Sequence, residues 1–218
     1  MIADPAKPLA IDLFCGLGGW TDGLLAEGYD VVGFDIVRHV YGEHHYPAQL
    51  VIQDVLTLHG SQFKSATLIV ASPPCQGYSY RAMPWKRAKA LPPPDNSLFQ
   101  ACFRIQREAR EAAGRHIPLI VENVRGAQKW VGPAAWLHGP FALWGDIPAL
   151  MPIDAPPKKG LRLGSVSWGQ GVGRRHPNDP RNFYSTDPRR RMASAMIAKI
   201  PLPLSRHIAV TFRRELYT

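Results

Sequence analysis

Apolar residues along the chain come in short runs, each ending at a glycine, a proline or an acidic residue. Residues 9–14 (LAIDLF) read as a buried strand leading into Gly16, Gly18 and Gly19. A helical stretch follows to about Glu27, and Gly28 sits where a glycine ends a helix. Residues 31–34 (VVGF) predict a second strand ending at Asp35, and a helix is expected over about Arg38–His45. Val51–Ile52 predict a short third strand before Asp54, and residues 67–71 (TLIVA) a fourth. Residues 96–115 have helical composition, and 117–121 (IPLIV) predict a fifth strand that stops before Glu122. Strands and helices alternating at this spacing imply an α/β fold, with a doubly wound, mostly parallel sheet covered on both faces.

The second half breaks this rhythm. From Pro148 to Pro188 the chain is rich in Pro, Gly and Arg, and such long aperiodic stretches are usually functional or disordered. Regularity returns where Thr186 or Asp187 can cap a helix that Pro188 opens. Met192, Met196 and Ile200 then share one face. Three units result: residues 1–148 as the domain of alternating strands and helices, 149–191 as a basic segment, and 192–218 as C-terminal helices packing back on the first. No internal repeat is visible.

Charge changes the picture more than composition does. The 218 residues carry a formal charge of +9, unevenly spread. Residues 1–100 hold 7 basic and 9 acidic side chains, whereas 101–218 hold 19 and 8. The stretch from Lys158 to Arg191 alone holds 9 basic and 2 acidic ones. Such an excess points to a polyanionic partner, and a basic patch is the usual footprint of nucleic-acid binding. Arg189, Arg190 and Arg191 fall in the first turn of the expected helix, where the dipole disfavours cations, so they are costly there unless they reach an anion. An apolar content of 45% excludes a disordered chain, and the absence of any apolar window of about 18 residues excludes a membrane span. No signal pattern is seen at the N-terminus. Three scattered cysteines, at positions 15, 75 and 102, make no disulfide framework, so a reducing, cytoplasmic setting is expected.

Three short motifs carry chemistry. In Asp12-Leu13-Phe14-Cys15-Gly16-Leu17-Gly18-Gly19, a strand runs through a glycine turn into a helix, which is how doubly wound folds approach a nucleotide-like cofactor. Asp35, at the end of the next strand, stands where ribose hydroxyls are held. The dinucleotide fingerprint itself is incomplete, because Thr21 stands three residues after Gly18. In Ser72-Pro73-Pro74-Cys75-Gln76-Gly77-Tyr78-Ser79, a cysteine is presented on a proline-stiffened loop after the fourth strand. Arg81, Lys86, Arg87 and Lys89 nearby favour its thiolate. Cys15 and Cys102 read as core residues. Glu122-Asn123-Val124 follows the fifth strand, and a carboxyl proton donor beside a thiol nucleophile is what addition to an electron-poor ring requires. Alone, Glu122-Asn123 would more often be a helix-capping pair. His44, His45, His116 and His138 lack metal-ligand spacing, and no metal is expected.

Together these motifs, in this order over roughly residues 9–126, resemble the DNA cytosine-C5 methyltransferases. The resemblance implies the Rossmann-like fold of S-adenosylmethionine-dependent methyltransferases, with S-adenosylmethionine as cofactor. Asp12, Phe14, Gly16, Gly18, Gly19, Asp35, Ile36, Asp54, Val55 and Pro73 match its cofactor-binding positions. It implies that Cys75 attacks C6 of a flipped cytosine while Glu122 holds and protonates N3, with Pro74, Gln76 and Asn123 in support. Ser79, Arg81, Lys86, Arg87, Arg125, Arg174, Arg175, Arg189, Arg190 and Arg191 are the candidate nucleic-acid contacts.

The chain also departs from the family. Gln170, Arg174 and Arg175 match its Gln-x-Arg-x-Arg element only roughly, and KIPLPLSRHIA occupies the place of its C-terminal Gly-Asn-Ala-Val segment. The basic segment alone remains for target recognition, so a short or relaxed target is expected. DNA is the expected partner ahead of RNA such as a tRNA cytosine, with a catalytically inactive nucleic-acid-binding module as the third reading. A bacterial or phage origin and a restriction-modification setting fit the compact size.

Overall fold

The computed structural model describes residues 7–79, 90–151, 162–163, 166–167 and 187–214. Seven strands form one sheet: β1 (Leu9–Leu13), β2 (Asp30–Asp35), β5 (Gln49–Ile52), β6 (Leu68–Ala71), β7 (Leu119–Val124), β8 (Trp136–His138) and β9 (Phe141–Gly145). Their order across the sheet is β5-β2-β1-β6-β7-β9-β8. The first five are mutually parallel, and β9 runs antiparallel between β7 and β8. Two short antiparallel pairs lie outside this sheet: β3 (Val40–Tyr41) with β4 (His44–His45), and β10 (Arg162–Leu163) with β11 (Val166–Ser167). This is the doubly wound, mostly parallel architecture that the apolar runs predict. The strands are apolar almost throughout because helices cover both faces.

Successive side chains alternate between the faces, so the sheet divides two clusters. Ile11, Leu13, Ile69, Ala71, Leu119 and Val121 meet Phe99, Ile105 and Ala109 of helix α2 (Ser97–Ala113). Ala10, Val31, Leu68, Val70 and Ile120 meet Trp20 and Leu24 of helix α1 (Gly19–Ala26), together with Ile200, Leu204, Ile208 and Phe212. The last three residues belong to helix α5 (Leu202–Arg214), which lies against α1. Gly23 permits that approach, since a Cβ there would come within 2.5 Å of the Arg206 amide nitrogen. Polar ties reinforce the contact. Lys199 pairs with Asp22 at 2.7 Å, Arg206 pairs with Glu27 at 2.6 Å, and the Tyr29 hydroxyl donates to the Ala209 carbonyl at 2.9 Å. A four-residue turn of helix, α3 (Gln128–Val131), follows β7.

Two local expectations are corrected. Residues 38–45 form the β3–β4 hairpin, not a helix. Gly42 has φ +62° between the two strands, Val and Tyr favour extended backbone, and Tyr46 is drawn into the core beyond them. Glu122 and Asn123 do not follow the fifth strand but lie inside it, opposite Leu143 and Ala142 of β9. The antiparallel partner, invisible in the local apolar run, extends β7 by three residues.

Helix α4 (Pro188–Ala198) is capped by Asp187, whose side chain accepts from the Arg189 amide, with Pro188 in the first turn. It takes in the last four residues of the basic segment. Among the described residues no helix is long and apolar enough to cross a membrane.

Candidate active site

All three sequence motifs arrive at one edge of the sheet, the C-terminal ends of β1, β6 and β7. The register pairs Leu13 with Ala71 and Ala71 with Val121, so Phe14, Ser72 and Glu122 are the next positions on three adjacent strands. Neighbouring strands lie about 4.8 Å apart, so the glycine turn, the Cys75 loop and the carboxylate spring from adjacent strands at the side of the sheet where such folds bind ligands.

The turn is built by unusual backbone. Phe14 is the non-glycine residue with positive φ, +58°, among those described. Such geometry costs roughly 1–3 kcal/mol, and it clusters where function imposes it. The Cys15 amide donates to the Phe34 carbonyl at 3.1 Å, and the Gly18 amide donates to the Cys15 carbonyl at 2.7 Å. Gly16 has φ +51° and nothing within 4 Å of where a Cβ would stand, so the space beside it is open.

Gly18 and Gly19 have a packing reason that the sequence does not show. A Cβ on Gly18 would stand 2.6 Å from the Pro47 ring, and one on Gly19 would strike the backbone of Ile200. Both make room for the chain's own packing.

The acidic residues at strand ends are engaged with the backbone. Asp35 accepts from the Gly16 amide at 2.9 Å through one oxygen and from the Val37 amide at 3.1 Å through the other, and His39 lies 3.7 Å away. It therefore ties the end of β2 to the glycine turn. Asp54 accepts from the Leu56 amide at 2.9 Å and caps a short turn after β5. Beside them Ile36 is 67% exposed and Leu56 46%, an unusual display of apolar surface at a strand-end rim. Val55, by contrast, is buried with Leu58 and Phe63, so its side chain does not face that rim. Asp12 is also buried, 1% exposed, beneath the turn rather than on it. Its Oδ2 accepts from the Thr21 hydroxyl at 2.6 Å, while its Oδ1 has no hydrogen-bond partner. Burial pushes its carboxyl up to about 7 despite the Thr21 bond, with the charges of Asp35 and Asp22 adding to the rise.

Cys75 is half-buried on its loop, whereas Cys15 and Cys102 are buried and their thiols are pushed up by desolvation. The loop is pinned at several points. The Ser72 amide donates to the Leu13 carbonyl, and the Ser72 hydroxyl accepts from the Trp20 ring nitrogen at 3.0 Å. Pro73 is buried, and its carbonyl accepts from the Asn123 amide nitrogen at 2.9 Å. Pro74 and Gln76 are exposed, and the Tyr78 amide donates to the Cys75 carbonyl at 3.0 Å. Glu122 is 9% exposed on the strand whose Asn123 makes the Pro73 bond.

Several structural contributors carried no signal of their own in the sequence. The buried Tyr78 donates to Asn96 at 2.9 Å, and Asn96 donates to the Trp130 carbonyl, closing the two ends of the segment that follows Cys75. The SPPCQGYS motif contains Tyr78 but not the partners that explain it. Trp20, Thr21 and Tyr46 carry no such signal either, being aromatic or hydroxyl residues in ordinary helical or loop contexts.

The basic candidates divide. Ser79 is half-buried and Arg125, directly after β7, is exposed. Arg189 does reach an anion, but it is the chain's own: its guanidinium bonds Asp187 at 2.9 and 3.1 Å. That pairing holds the Asp187 carboxyl below the usual range. Arg190 is half-buried and Arg191 exposed. Arg81, Lys86, Arg87, Arg174 and Arg175 lie outside the described residues. Among the described residues no three His, Cys, Asp or Glu side chains cluster as metal ligands would.

A family model for C-5 cytosine-specific DNA methylases matches residues 9–130, more than half of the chain. The chain belongs to that family. The matched region includes the glycine turn, the Cys75 loop and Glu122–Asn123. A search of curated proteins returns no match. Among solved structures, the chain is similar to a candidate DNA modification methyltransferase encoded within an E. coli prophage. Identity is 27% over 58% of this chain and 35% of that one, with a TM-score of 0.42. It is also similar to the S. pombe Dnmt2 methyltransferase (19% identity, 58% of this chain and 37% of that one, TM-score 0.40). A third likeness is to the Entamoeba histolytica methyltransferase EhMeth (18%, 58% and 41%, TM-score 0.38). The chain thus spans between a third and two fifths of the length of these structures.

Proposed function

We propose that the chain transfers a methyl group from S-adenosylmethionine to C5 of cytosine in DNA. The observation that carries this reading is the Asn123–Pro73 hydrogen bond. It fastens the loop bearing Cys75 to the strand bearing Glu122, so a nucleophile and a proton donor share one rigid frame.

The residues present fit the cofactor. Gly16 offers bare backbone at a helix-leading turn, Ile36 and Leu56 offer exposed apolar surface beside Asp35 and Asp54, and Asp12 holds a buried oxygen in need of a donor or a positive charge. Phe14, Gly16, Asp35, Ile36 and Asp54 would hold it. When bound, S-adenosylmethionine supplies an electrophilic methyl group on a cationic sulfur.

This chain's own residues do the rest. The target base leaves the duplex, at a cost of a few kcal/mol. The Cys75 thiolate adds to C6, forming a carbon–sulfur bond, as the Glu122 carboxyl gives its proton to N3. The electron pair released at C5 would take the methyl as its bond to sulfur breaks, leaving the cofactor as a neutral thioether. Loss of the C5 proton to water then re-forms the double bond and expels Cys75 as thiolate, while N3 returns its proton to Glu122. Asn123 positions and does not react. Arg125, at the end of β7, and Arg190 and Arg191 would meet phosphate, which fixes register without reading bases. A short or relaxed target is part of this reading, since arginines that meet phosphate hold the duplex without reading its bases.

The test is transfer of label from S-adenosylmethionine to DNA or to RNA, comparing wild type with Cys75→Ala and Glu122→Gln. Label in DNA is expected, abolished by the first substitution and reduced at least 100-fold by the second. Label confined to RNA assigns the chemistry to RNA, and binding without transfer makes the chain an inactive module. Sequencing the methylated DNA reads the target, and a long, strict sequence would overturn the relaxed-target reading.

A further inference from the structure

Beneath the glycine turn three polar side chains are buried together, and the reaction above uses none of them directly. Thr21 is 0%, Asp12 1% and Tyr46 6% exposed. The Thr21 hydroxyl lies 2.6 Å from Asp12 Oδ2 and 2.8 Å from the Tyr46 hydroxyl. A threonine hydroxyl has one hydrogen. Donated to Asp12, it leaves only lone pairs for Tyr46, so Tyr46 must donate to Thr21. The chain of donors therefore runs Tyr46 to Thr21 to Asp12.

Each member comes from a different piece of backbone around the turn. Asp12 lies two residues before Phe14 on the strand that enters the turn, and Thr21 lies in the first turn of the helix that leaves it. Tyr46 belongs to the arm after β4. Its ring occupies the space that a Cβ on Gly33 would need, and the adjoining Pro47 packs on Gly18. An apolar trio could fill the same volume without the cost of burying a carboxyl. What the polar trio adds is a fixed orientation of three segments relative to one another. It also leaves Asp12 Oδ1 buried and without a partner, an oxygen whose electrostatic complement is a cation.

We propose that Tyr46 and Thr21 are positioning residues of the cofactor site, holding Asp12 and the Phe14–Gly19 turn in the arrangement that receives the cationic methionine portion of S-adenosylmethionine. This assignment rests on the cofactor reading above. It explains why Thr21 stands where the dinucleotide fingerprint has a small residue, because a Gly or Ala there would break the chain of donors at its centre.

Titration calorimetry with S-adenosylmethionine on the full chain tests it, alongside thermal unfolding of the cofactor-free protein. Tyr46→Phe keeps the ring and removes the donor. The cofactor Kd is expected to rise about five- to tenfold, the effect of losing one buried hydrogen bond. Thr21→Val should raise it further, and Thr21→Ser, which keeps the hydroxyl, should restore it to within about twofold of wild type. A lowered melting temperature with wild-type Kd in Tyr46→Phe would make the trio ordinary core and overturn the proposal. Equal Kd values for Thr21→Ser and Thr21→Val would overturn it too. If the wild-type protein binds no S-adenosylmethionine, the cofactor reading falls and this assignment with it. Wild-type binding matched by Tyr46→Phe removes the assignment alone.

Discussion

Asp12 shows how far one buried carboxyl can shape the protein's response to pH. Its pKa is raised to about 7, first by desolvation, against a value near 3.8 in the unfolded chain. The groups facing it do not relieve this: Asp35 and Asp22 repel its charge, Thr21 offers one hydrogen bond, and Cys15 and Tyr46 stay protonated because burial pushes both upward. Between roughly pH 4 and pH 7 the folded state thus keeps a proton that the unfolded state has lost. Stability must fall as pH rises through that window and level off above it. The expected loss is on the order of a few kcal/mol, read as a drop in urea midpoint between pH 5 and pH 8. Asp12→Asn keeps an acceptor for Thr21 and removes the charge, so its midpoint should be nearly flat over the same range. An equal drop in both proteins would place the titration elsewhere. In the sequence Asp12 is legible as part of a cofactor motif, but its burial is not. That depends on Tyr46, 34 positions away and carried on a hairpin that the local pattern reads as helix.

Among the elements, the α1–α5 pair shows most directly what local pattern can and cannot convey. Gly19 and Gly23 read as turn and helix glycines, yet both are contact surfaces for residues 200–206. Gly23→Ala would drive a methyl group into Ser205 and the Arg206 backbone. A loss of about 1–3 kcal/mol is expected from this overpacking, although alanine is the better helix former. Chemical denaturation measures it, and a neutral or stabilising result would show that α5 can back away from α1. The five parallel strands were legible because each contains a short apolar run, and so was α2, because residues 96–115 have helical composition. The β3–β4 hairpin, the extension of β7 through Glu122 and Asn123, and the β8–β9 pair were not. Each depends on a pairing partner distant in sequence, which short-range periodicity does not encode. The Cys75 and Glu122 motifs are legible all the same, because each directly follows an apolar run, whether the backbone there ends its strand, as after Ala71, or continues it, as through Glu122.

At the scale of the whole molecule, the near-neutral first hundred residues and the basic remainder do not divide into a catalytic part and an appendage. Ile200, Leu204, Ile208 and Phe212 complete the core on the face of the sheet that α1 shares. Four large apolar side chains buried at about 2 kcal/mol each contribute roughly 8 kcal/mol, comparable to the entire stability of a typical domain. Arg206 and Arg213 add contacts to Glu27 at the end of α1, the first an ion pair and the second a bond to its backbone carbonyl. The KIPLPLSRHIA stretch, which departs from the family's C-terminal pattern, thus has a structural reason of its own: Ile200 meets Gly19, and Ser205 meets Gly23. A chain ending at Lys199 would retain the glycine turn, Cys75 and Glu122, and would still expose one face of the sheet. Such a truncation is expected to lose the cooperative thermal transition and to bind a hydrophobic dye, whereas the full chain should melt in a single step. A truncated protein melting at the same temperature as the full chain would show that α5 only rests on the domain. Loss of the transition would mean that cofactor site and C-terminal helix fold together, so that residues 200–214 are part of the catalytic domain.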